Sequence, residues 1–468
     1  MVTEHNLLTQ VPFKKLLVWD VKRLIGDKHY TAKYQLVPFS RVLCEANIDW
    51  VDIEDNKLYP ILGVHAYGDG VYINRIAVGS TLTMKRYQKS QPNTLFWCKV
   101  RTVRGQFGVV NEEHADSYGS SNMKYMSIDT NLVLPEYLQL LFQRNPLTEY
   151  MDTLAVGADG RHFNPSVFLN VKFPLPPMDI QYELVKKYNA SINQAKSIEE
   201  EADLLTKTLD DYLFDALQIK EKVVANDDSR LLKVTDFSKL LGWGAKTNSN
   251  PIKPQELFLS SKYKNLPLEH FCEINPKTVY PDDIEDISFI PMECVSDVYG
   301  EIMERKNGKV GTSKGYTSFQ EQDVIWAKIT PCMQNGKCAV ATNLKNGYAY
   351  GSTEFHVIRA NKNTLPEYIH CFMRSKRLRT VAMNYFTGSA GQQRVGTDFL
   401  ENLTLPELPL RSDDPSILTQ EKIVTKIAAI RSEIKKLHKK AVSTRNQAKK
   451  DFEEAVFGEA QNVRDKKL

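Results

Sequence analysis

Two stretches of the chain repeat their apolar residues with a seven-residue period. After Gln181, the residues Leu184, Ser191, Ile198, Leu205 and Tyr212 interleave with Tyr188, Ala195, Ala202, Leu209 and Ala216. After Gln420, the residues Ile423, Ile430, Leu437, Thr444 and Asp451 interleave with Ile427, Ile434, Ala441, Ala448 and Ala455. That period predicts two long helices, roughly 55 Å each for about 37 residues at 1.5 Å per residue. Each helix could pack on its own domain. Small alanines on the stripe and a charged remainder, as in "RSEIKKLHKKAVSTRNQAKK", favour helix on helix instead. The expected seam is Leu184, Tyr188, Ala195, Ile198, Leu205 and Leu209 against Ile423, Ile427, Ile430, Ile434 and Leu437. Elsewhere the pattern is mixed. "GVYINRIAVGSTLTM" (70–84) has β-branched and aromatic residues with glycine punctuation, which suits strands. "PEYLQLLFQ" and "PEYIHCFMRS" read as short helices with proline in the first turn.

The chain also repeats itself on a larger scale. "TGSAGQQRVGTDFL" (387–400) has an earlier copy, "VGADGRHFNPSVFL" (156–169). "LPEY" occurs at 134–137 and 365–368, "YGSS" at 118–121 and "YGST" at 350–353. "WCKV" (97–100) matches "WAKI" (326–329), "CEAN" (44–47) matches "CEIN" (272–275), and "DVKRLIG" (20–26) resembles "DFSKLLG" (236–242). Downstream, "FPLPP" and "LPELP" end the globular parts, because proline and the residue before it disfavour helix. The series keeps its order at nearly constant spacing.

This predicts an α/β (α+β) fold with two globular domains, two long antiparallel coiled-coil helices and an internal pseudo-two-fold repeat. The expected limits are 1–176 for the first domain, 177–220 for its helix, 221–255 for a connector, 256–409 for the second domain, 410–458 for its helix and 459–468 for a tail. The glycine-rich loop is expected to be a turn that leads into a strand.

At 468 residues the chain can bury more than one core. Hydrophobic content of 42% and charged content of 25% are ordinary for a soluble protein, and the net charge of +4 neither demands nor excludes nucleic acid. The seven cysteines contain no CxxC pair, which points to a reducing cytoplasm. The opening "MVTEHNLLTQVPFKK" lacks a signal-peptide pattern, and no apolar run is long enough to span a membrane.

Enzyme motifs are scarce. The glycine loop has no GKS or GKT, and neither "GDG" (68–70) nor "GWG" (242–244) makes a dinucleotide fingerprint. There is no GxSxG elbow and no HExxH. "NPLT", "NPSV" and "NPKT" lack the second proline of an adenine-methylase tetrapeptide. Pro281-Asp282 with Glu304-x-Lys306 resembles the PD…ExK pattern of metal-dependent nucleases, but the first repeat has no counterpart. His270-x-Cys272, His370-Cys371 and Cys332-x5-Cys338 lack paired zinc spacing. No catalytic or metal residue is assigned.

The doubled module, its "TGSAGQQR"-like loop, the proline run and the Gln-led helix together resemble the specificity subunits of type I restriction–modification systems, over nearly the whole chain. The first copy departs from the pattern with "VGADGRHF", and the connector is long. The resemblance implies two target-recognition domains, each reading half of a bipartite DNA site. The helices would set the spacing and dock two methylase subunits. It also implies a chain without catalysis or cofactor of its own. S-adenosylmethionine, ATP and Mg²⁺ would sit on methylase partners and on the restriction subunit that such systems often carry. The stand-alone alternative is a Mg-dependent nuclease or modification enzyme using Asp282, Glu304 and Lys306.

The modules diverge most at 49–95 and 276–323, where side chains for different base edges belong. Candidates there and in nearby turns are Arg75, Lys85, Arg86, Lys89, Arg104, Gln106, Arg161, Arg305, Lys306, Lys309, Lys314, Gln334, Asn335, Lys337, Gln392, Gln393 and Arg394. For the glycine loop, approach to DNA or methylase and a purely structural turn both stay open.

Overall fold

The computed structural model describes residues 30–99, 106–154, 165–220, 252–388 and 392–458. Much of the expected connector, the tail, "DVKRLIG", "DFSKLLG" and the first glycine loop lie outside these residues. The chain divides into two compact units, one of Met1–Ser197 with Lys440–Leu468, the other of Ile198–Lys439.

In the first unit, β1 (Leu36–Pro38) precedes β2 (Leu43–Glu45), β3 (Trp50–Asp52), β4 (Leu58–Val64), β5 (Val71–Val78) and β6 (Arg86–Lys89). Next come β7 (Thr94–Cys98), β8 (Phe107–Val110), β9 (Tyr118–Gly119), β10 (Met123–Ile128) and, after short helices, β11 (Lys172–Pro174). One sheet has the order β2-β10-β7-β8, a second β3-β6-β9-β4-β5, and β1 pairs with β11.

The second unit holds β12 (Asn265–Pro267), β13 (Cys272–Ile274), β14 (Asp286–Ile290), β15 (Lys306–Lys309), β16 (Thr317–Gln320) and β17 (Val324–Ala327). They are followed by β18 (Cys338–Val340), β19 (Tyr348–Gly351), β20 (Phe355–Ala360), β21 (Phe386–Thr387), β22 (Arg394–Val395) and β23 (Thr404–Pro406). Its sheets run β13-β20-β17-β18 and β15-β14-β19-β16, with β12 on β23. Strand for strand, β2-β10-β7-β8 corresponds to the first of these, and β5-β4-β9-β6 to the second. Even the single parallel pairing recurs, with Ile61 opposite Tyr118 and Phe289 opposite Tyr350.

The quoted sequence matches owe their residue types to shared joints. Trp97 and Trp326 are fully buried in the middle of their first sheets. The tyrosine of each "LPEY" is buried, and its hydroxyl donates to the proline carbonyl that ends the module: Tyr137 to Pro174, Tyr368 to Pro406. Gln181 and Gln420, also buried, do the same work at the base of each long helix. Gln181 accepts from the Leu134 N–H and donates to the carbonyls of Leu132 and Pro176. Gln420 accepts from the Leu365 N–H and donates to Asn363 and Leu408. An amide side chain satisfies three backbone groups there that a hydrocarbon would leave unpaired.

One match is out of register. Cys272 lies opposite Ala360 on β20, whereas the corresponding position of β10, Ile128, faces Leu43 and not Cys44. Leu43 and Cys272 are both buried, and Cys44 is exposed. A slip of one residue turns a side chain to the other face of a strand, so the "CEAN"/"CEIN" identity does not mark equivalent sites.

The long helices are Met178–Ala216 and Gln420–Phe457. The first begins a turn earlier than Gln181. Along the stripes Ala195, Ile198, Ile423, Ile427, Ile434 and Leu437 are buried, while Leu184, Tyr188, Leu205, Leu209 and Ile430 are half-buried. Within the first unit, the Tyr188 ring meets Phe452 at 6.2 Å and Lys187 pairs with Asp451 at 3.2 Å. Within the second, Leu213 and Leu217 share a core with Ile423 and Ile427. Among the described residues, no helix is long and apolar enough to cross a membrane.

Candidate nucleic-acid interface

The divergent stretches 49–95 and 276–323 supply most of the second sheet of each unit. In both units the strand after the sheet's hairpin, β5 or β15, lies at the sheet edge. Four consecutive residues of β5, Ile73 to Ile76, are exposed. Ile76 is 66% exposed and Leu58 61%, so this surface carries apolar as well as basic groups.

The candidate side chains differ in how far the fold already occupies them. Arg75, Lys85 and Lys314 are exposed and make no side-chain hydrogen bond or ion pair among the described residues. Gln106, Gln392 and Gln393 are exposed or half-buried, and Asn335 is exposed. Arg86 pairs with Asp52 at 3.1 Å and reaches the Trp50 carbonyl, while Lys89 pairs with Asp116 at 3.0 Å. Lys306 pairs with Glu293 at 2.9 Å and Lys309 with Glu285 at 2.7 Å. Arg305 donates to the carbonyls of Thr342 and Ile302. Lys337 donates to Met292 and Val295, each at 2.9 Å, which ties down the turn after β14. The amide of Gln334 lies 3.3 Å from the Met383 sulfur. Arg104 and Arg161 lie outside the described residues.

The residues that flank the glycine loop of the second unit pair with each other, while 389–391 lie outside the described residues. Phe386 pairs with Val395 and Thr387 with Arg394, and Gly388 has φ +106°. Arg394 grips Glu354 with two bonds of 2.8 and 2.7 Å and donates to the Gln392 carbonyl. That grip holds the Glu354 carboxyl below the usual carboxylate range. The loop leads into the two-residue strand β22, as expected, and a short helix, Thr397–Glu401, follows. The Gly396-Thr397-Asp398 sequence favours a helix start, with Asp398 in the first turn.

Where the sheets meet, each unit has an open cleft. The first, about 630 Å³, is lined by Glu45, Asn47, Trp50, Gln88, Lys99 and Lys124. The second, about 240 Å³, is lined by Asn275, Lys277, Thr278, Thr317 and Ser318. In the first cleft the Lys124 ammonium is paired with Glu45 beside exposed Trp50, and the second offers an amide, hydroxyls and Lys277. Among the described residues, no three His, Cys, Asp or Glu side chains converge to hold a metal. Lys306 of the nuclease-like pattern is engaged by Glu293.

Residues 260–443 match the family model for the type I restriction modification DNA specificity domain. The chain is 34% identical over 209 residues to the type I restriction enzyme EcoEI specificity subunit of Escherichia coli, covering 41% of this chain and 35% of that protein. It is 32% identical over 270 residues to the EcoAI specificity subunit of the same organism, covering 53% of this chain and 44% of that one. The match thus spans less than half the length of either curated relative. In fold, the chain is similar to one from a solved structure on complex assembly and conformational transition of the type I R-M system. That likeness has a TM-score of 0.50 at 13% identity and covers 91% of this chain and 97% of the other. The chain is therefore similar in sequence to two type I restriction enzyme specificity subunits, and its residues 260–443 match the model of a type I restriction modification DNA specificity domain.

Proposed function

We propose that the chain is the non-catalytic DNA-specificity subunit of a type I restriction–modification complex. Each unit reads one half of a bipartite double-stranded site. The single observation that carries this reading is the second sheet, which has one strand order in both units but a different set of exposed side chains in each. A shared frame with divergent surfaces is what two independent half-site readers need. Domains of 1–176 and 256–409, joined by an antiparallel coiled coil in a pseudo-two-fold arrangement, would hold the half-sites at a fixed gap. The free cations Arg75, Lys85 and Lys314 are the first choice for DNA contacts, since pairing within the fold does not oppose their use.

Methylase subunits, two in the symmetric case, supply S-adenosylmethionine chemistry, and a restriction subunit supplies the steps that use ATP and Mg²⁺. The isolated chain neither methylates nor cuts DNA. The test is reconstitution: the chain with DNA and Mg²⁺ shows no cleavage, and addition of the methylase subunit yields adenine methylation at one gapped sequence. Cleavage by the pure chain that disappears on Glu304→Ala would overturn the reading.

A further inference from the structure

The open cleft of the first unit contains one side chain whose hydrogen-bonding direction is fixed. Gln88, on β6, lines the cleft and is only 9% exposed. Its amide nitrogen donates to the Ser120 carbonyl at 2.8 Å and to the Met123 carbonyl at 3.3 Å. Both amide protons are thereby used. Because both partners are carbonyl acceptors, the nitrogen must be the arm that faces them. The other arm of the planar amide, Oε1, accepts no hydrogen bond among the described residues. Among these residues, the unpartnered side-chain atoms sealed from solvent lie elsewhere, at Trp97, Trp326, Arg379 and Tyr385. The Gln88 oxygen therefore opens onto the cleft that the residue lines. A buried acceptor held in one orientation, with no partner in the fold, is completed by a donor from outside.

The strands on either side leave that oxygen uncovered. Gln88 lies directly opposite Trp50 on β3 and Gly119 on β9. Gly119 has no side chain to screen it, and a Cβ there would stand 2.5 Å from the Tyr125 hydroxyl. Trp50 is 42% exposed and offers an aromatic surface beside the acceptor. Lys99, half-buried in the same cleft, makes no ion pair among the described residues, whereas the carboxylate of Glu45 is taken by Lys124. The cleft thus combines a fixed acceptor, an aromatic face and an unengaged cation.

The second unit has its cleft at the corresponding place and differs at this point. Gln88 opposite Gly119 corresponds to Thr317 opposite Gly351, beside the tyrosines of the repeated "YGS" segments. Thr317 lines its own cleft, but a hydroxyl can donate or accept by turning. The position is shared, and the hydrogen-bonding demand is not.

We infer that Gln88 is a specificity-determining residue of the first half-site, and that its Oε1 accepts a hydrogen bond from the exocyclic amino group of one base. Adenine N6 and cytosine N4 present that donor in the major groove and guanine N2 in the minor groove, while thymine has none. Lys99 meets a neighbouring phosphate, and Trp50 supplies apolar contact. The inference rests on the proposed half-site function and names the chemical group that one unit reads.

The test removes amino groups one at a time. The full chain is assembled with its methylase partner, and its affinity is measured for duplexes carrying the cognate site. Single bases are replaced by purine for adenine, 2-pyrimidinone for cytosine or hypoxanthine for guanine. With the wild-type chain, one such deletion weakens binding about tenfold, within the range that a single mismatch is worth. It falls in the half that exchange of residues 256–409 leaves unchanged. With Gln88→Met, which keeps the length of the side chain but removes the acceptor, the same deletion changes affinity less than about twofold. A merely structural defect weakens binding to all duplexes and leaves the cost of that deletion at its wild-type value. That result, or coupling to amino groups in both halves, overturns the inference. If Gln88→Met does not fold, Ser121→Tyr decides: it fills the cleft from an exposed rim position and should abolish the same amino dependence. A wild-type complex with no bipartite preference overturns the half-site reading itself, whereas a bipartite site with no amino group coupled to Gln88 overturns this inference alone.

Discussion

At one cross-strand site the first unit pairs Thr94 with Ser127, while the second places Asp323 beside Arg359. The frame is the same, since Trp97 and Trp326 stand three residues beyond each at corresponding places on β7 and β17. The chemistry is not. Thr94 bonds a neighbouring carbonyl, whereas Asp323 is almost wholly buried and receives two bonds from Arg359 at 2.8 and 2.7 Å. The second sheets place their charges differently. The first unit pairs Arg86 with Asp52 and Lys89 with Asp116 and leaves Arg75 and Lys85 free; the second pairs Lys306 with Glu293 and Lys309 with Glu285 and leaves Lys314 free. Backbone joints therefore recur with their residue types, and charge arrangements do not. A joint is fixed by the fold, while a surface is left for a ligand to shape.

The comparison can be broken most easily at the buried ion pair. Asp323→Ala strands Arg359 and should cost about 3 kcal/mol, while Thr94→Ala should cost only about 1 kcal/mol, since it loses one neutral hydrogen bond. Denaturant unfolding of the two variants checks both values. Equal costs would mean that the second unit gains nothing from its extra charges.

The shared joint should instead give matched effects. Gln181→Ala and Gln420→Ala each leave one backbone N–H and two carbonyls unpaired, and each should destabilise by about 2–3 kcal/mol. Costs differing by more than about 1 kcal/mol would show that the two clamps are not equivalent.

Thiol labelling sharpens the register finding. Cys44 is exposed, but burial pushes the thiols of Cys272 and Cys338 up to about 12. Iodoacetamide at pH 8 should modify Cys44 in the native chain and spare Cys272 and Cys338, because the thiolate is the nucleophile. Mass spectrometry of the peptides reads the outcome, and early labelling of Cys272 would contradict the assigned strand register.

The smallest effect concerns free and paired cations. Arg75→Ala should weaken DNA binding by the assembled complex and lower its salt dependence by about one. Lys309→Ala, which removes an ammonium already facing Glu285, should change both less. Binding titrations across salt concentrations separate the two cases.

The sequence made the long helices legible because their stripes are apolar over many turns, and buried Ile423, Ile427 and Ile434 keep that period. The collinear matches include joints such as Trp97, Tyr137 and Gln181, which are buried and, at the last two, hydrogen-bonded to backbone. The sequence misread "CEAN" against "CEIN", since short identities carry no information on strand register. It could not show which cations are engaged. Lys337, for example, is held by carbonyls far back in the chain, at Met292 and Val295.

The central claim is that each unit reads its own half-site. Residues 256–409 can be exchanged for the equivalent segment of a relative with a different specificity, and the adenines methylated by the assembled complex can be mapped across a genome. The account predicts that one half of the bipartite sequence changes while the other half and the gap stay as they were. Simultaneous change of both halves, or an unchanged sequence, would contradict it.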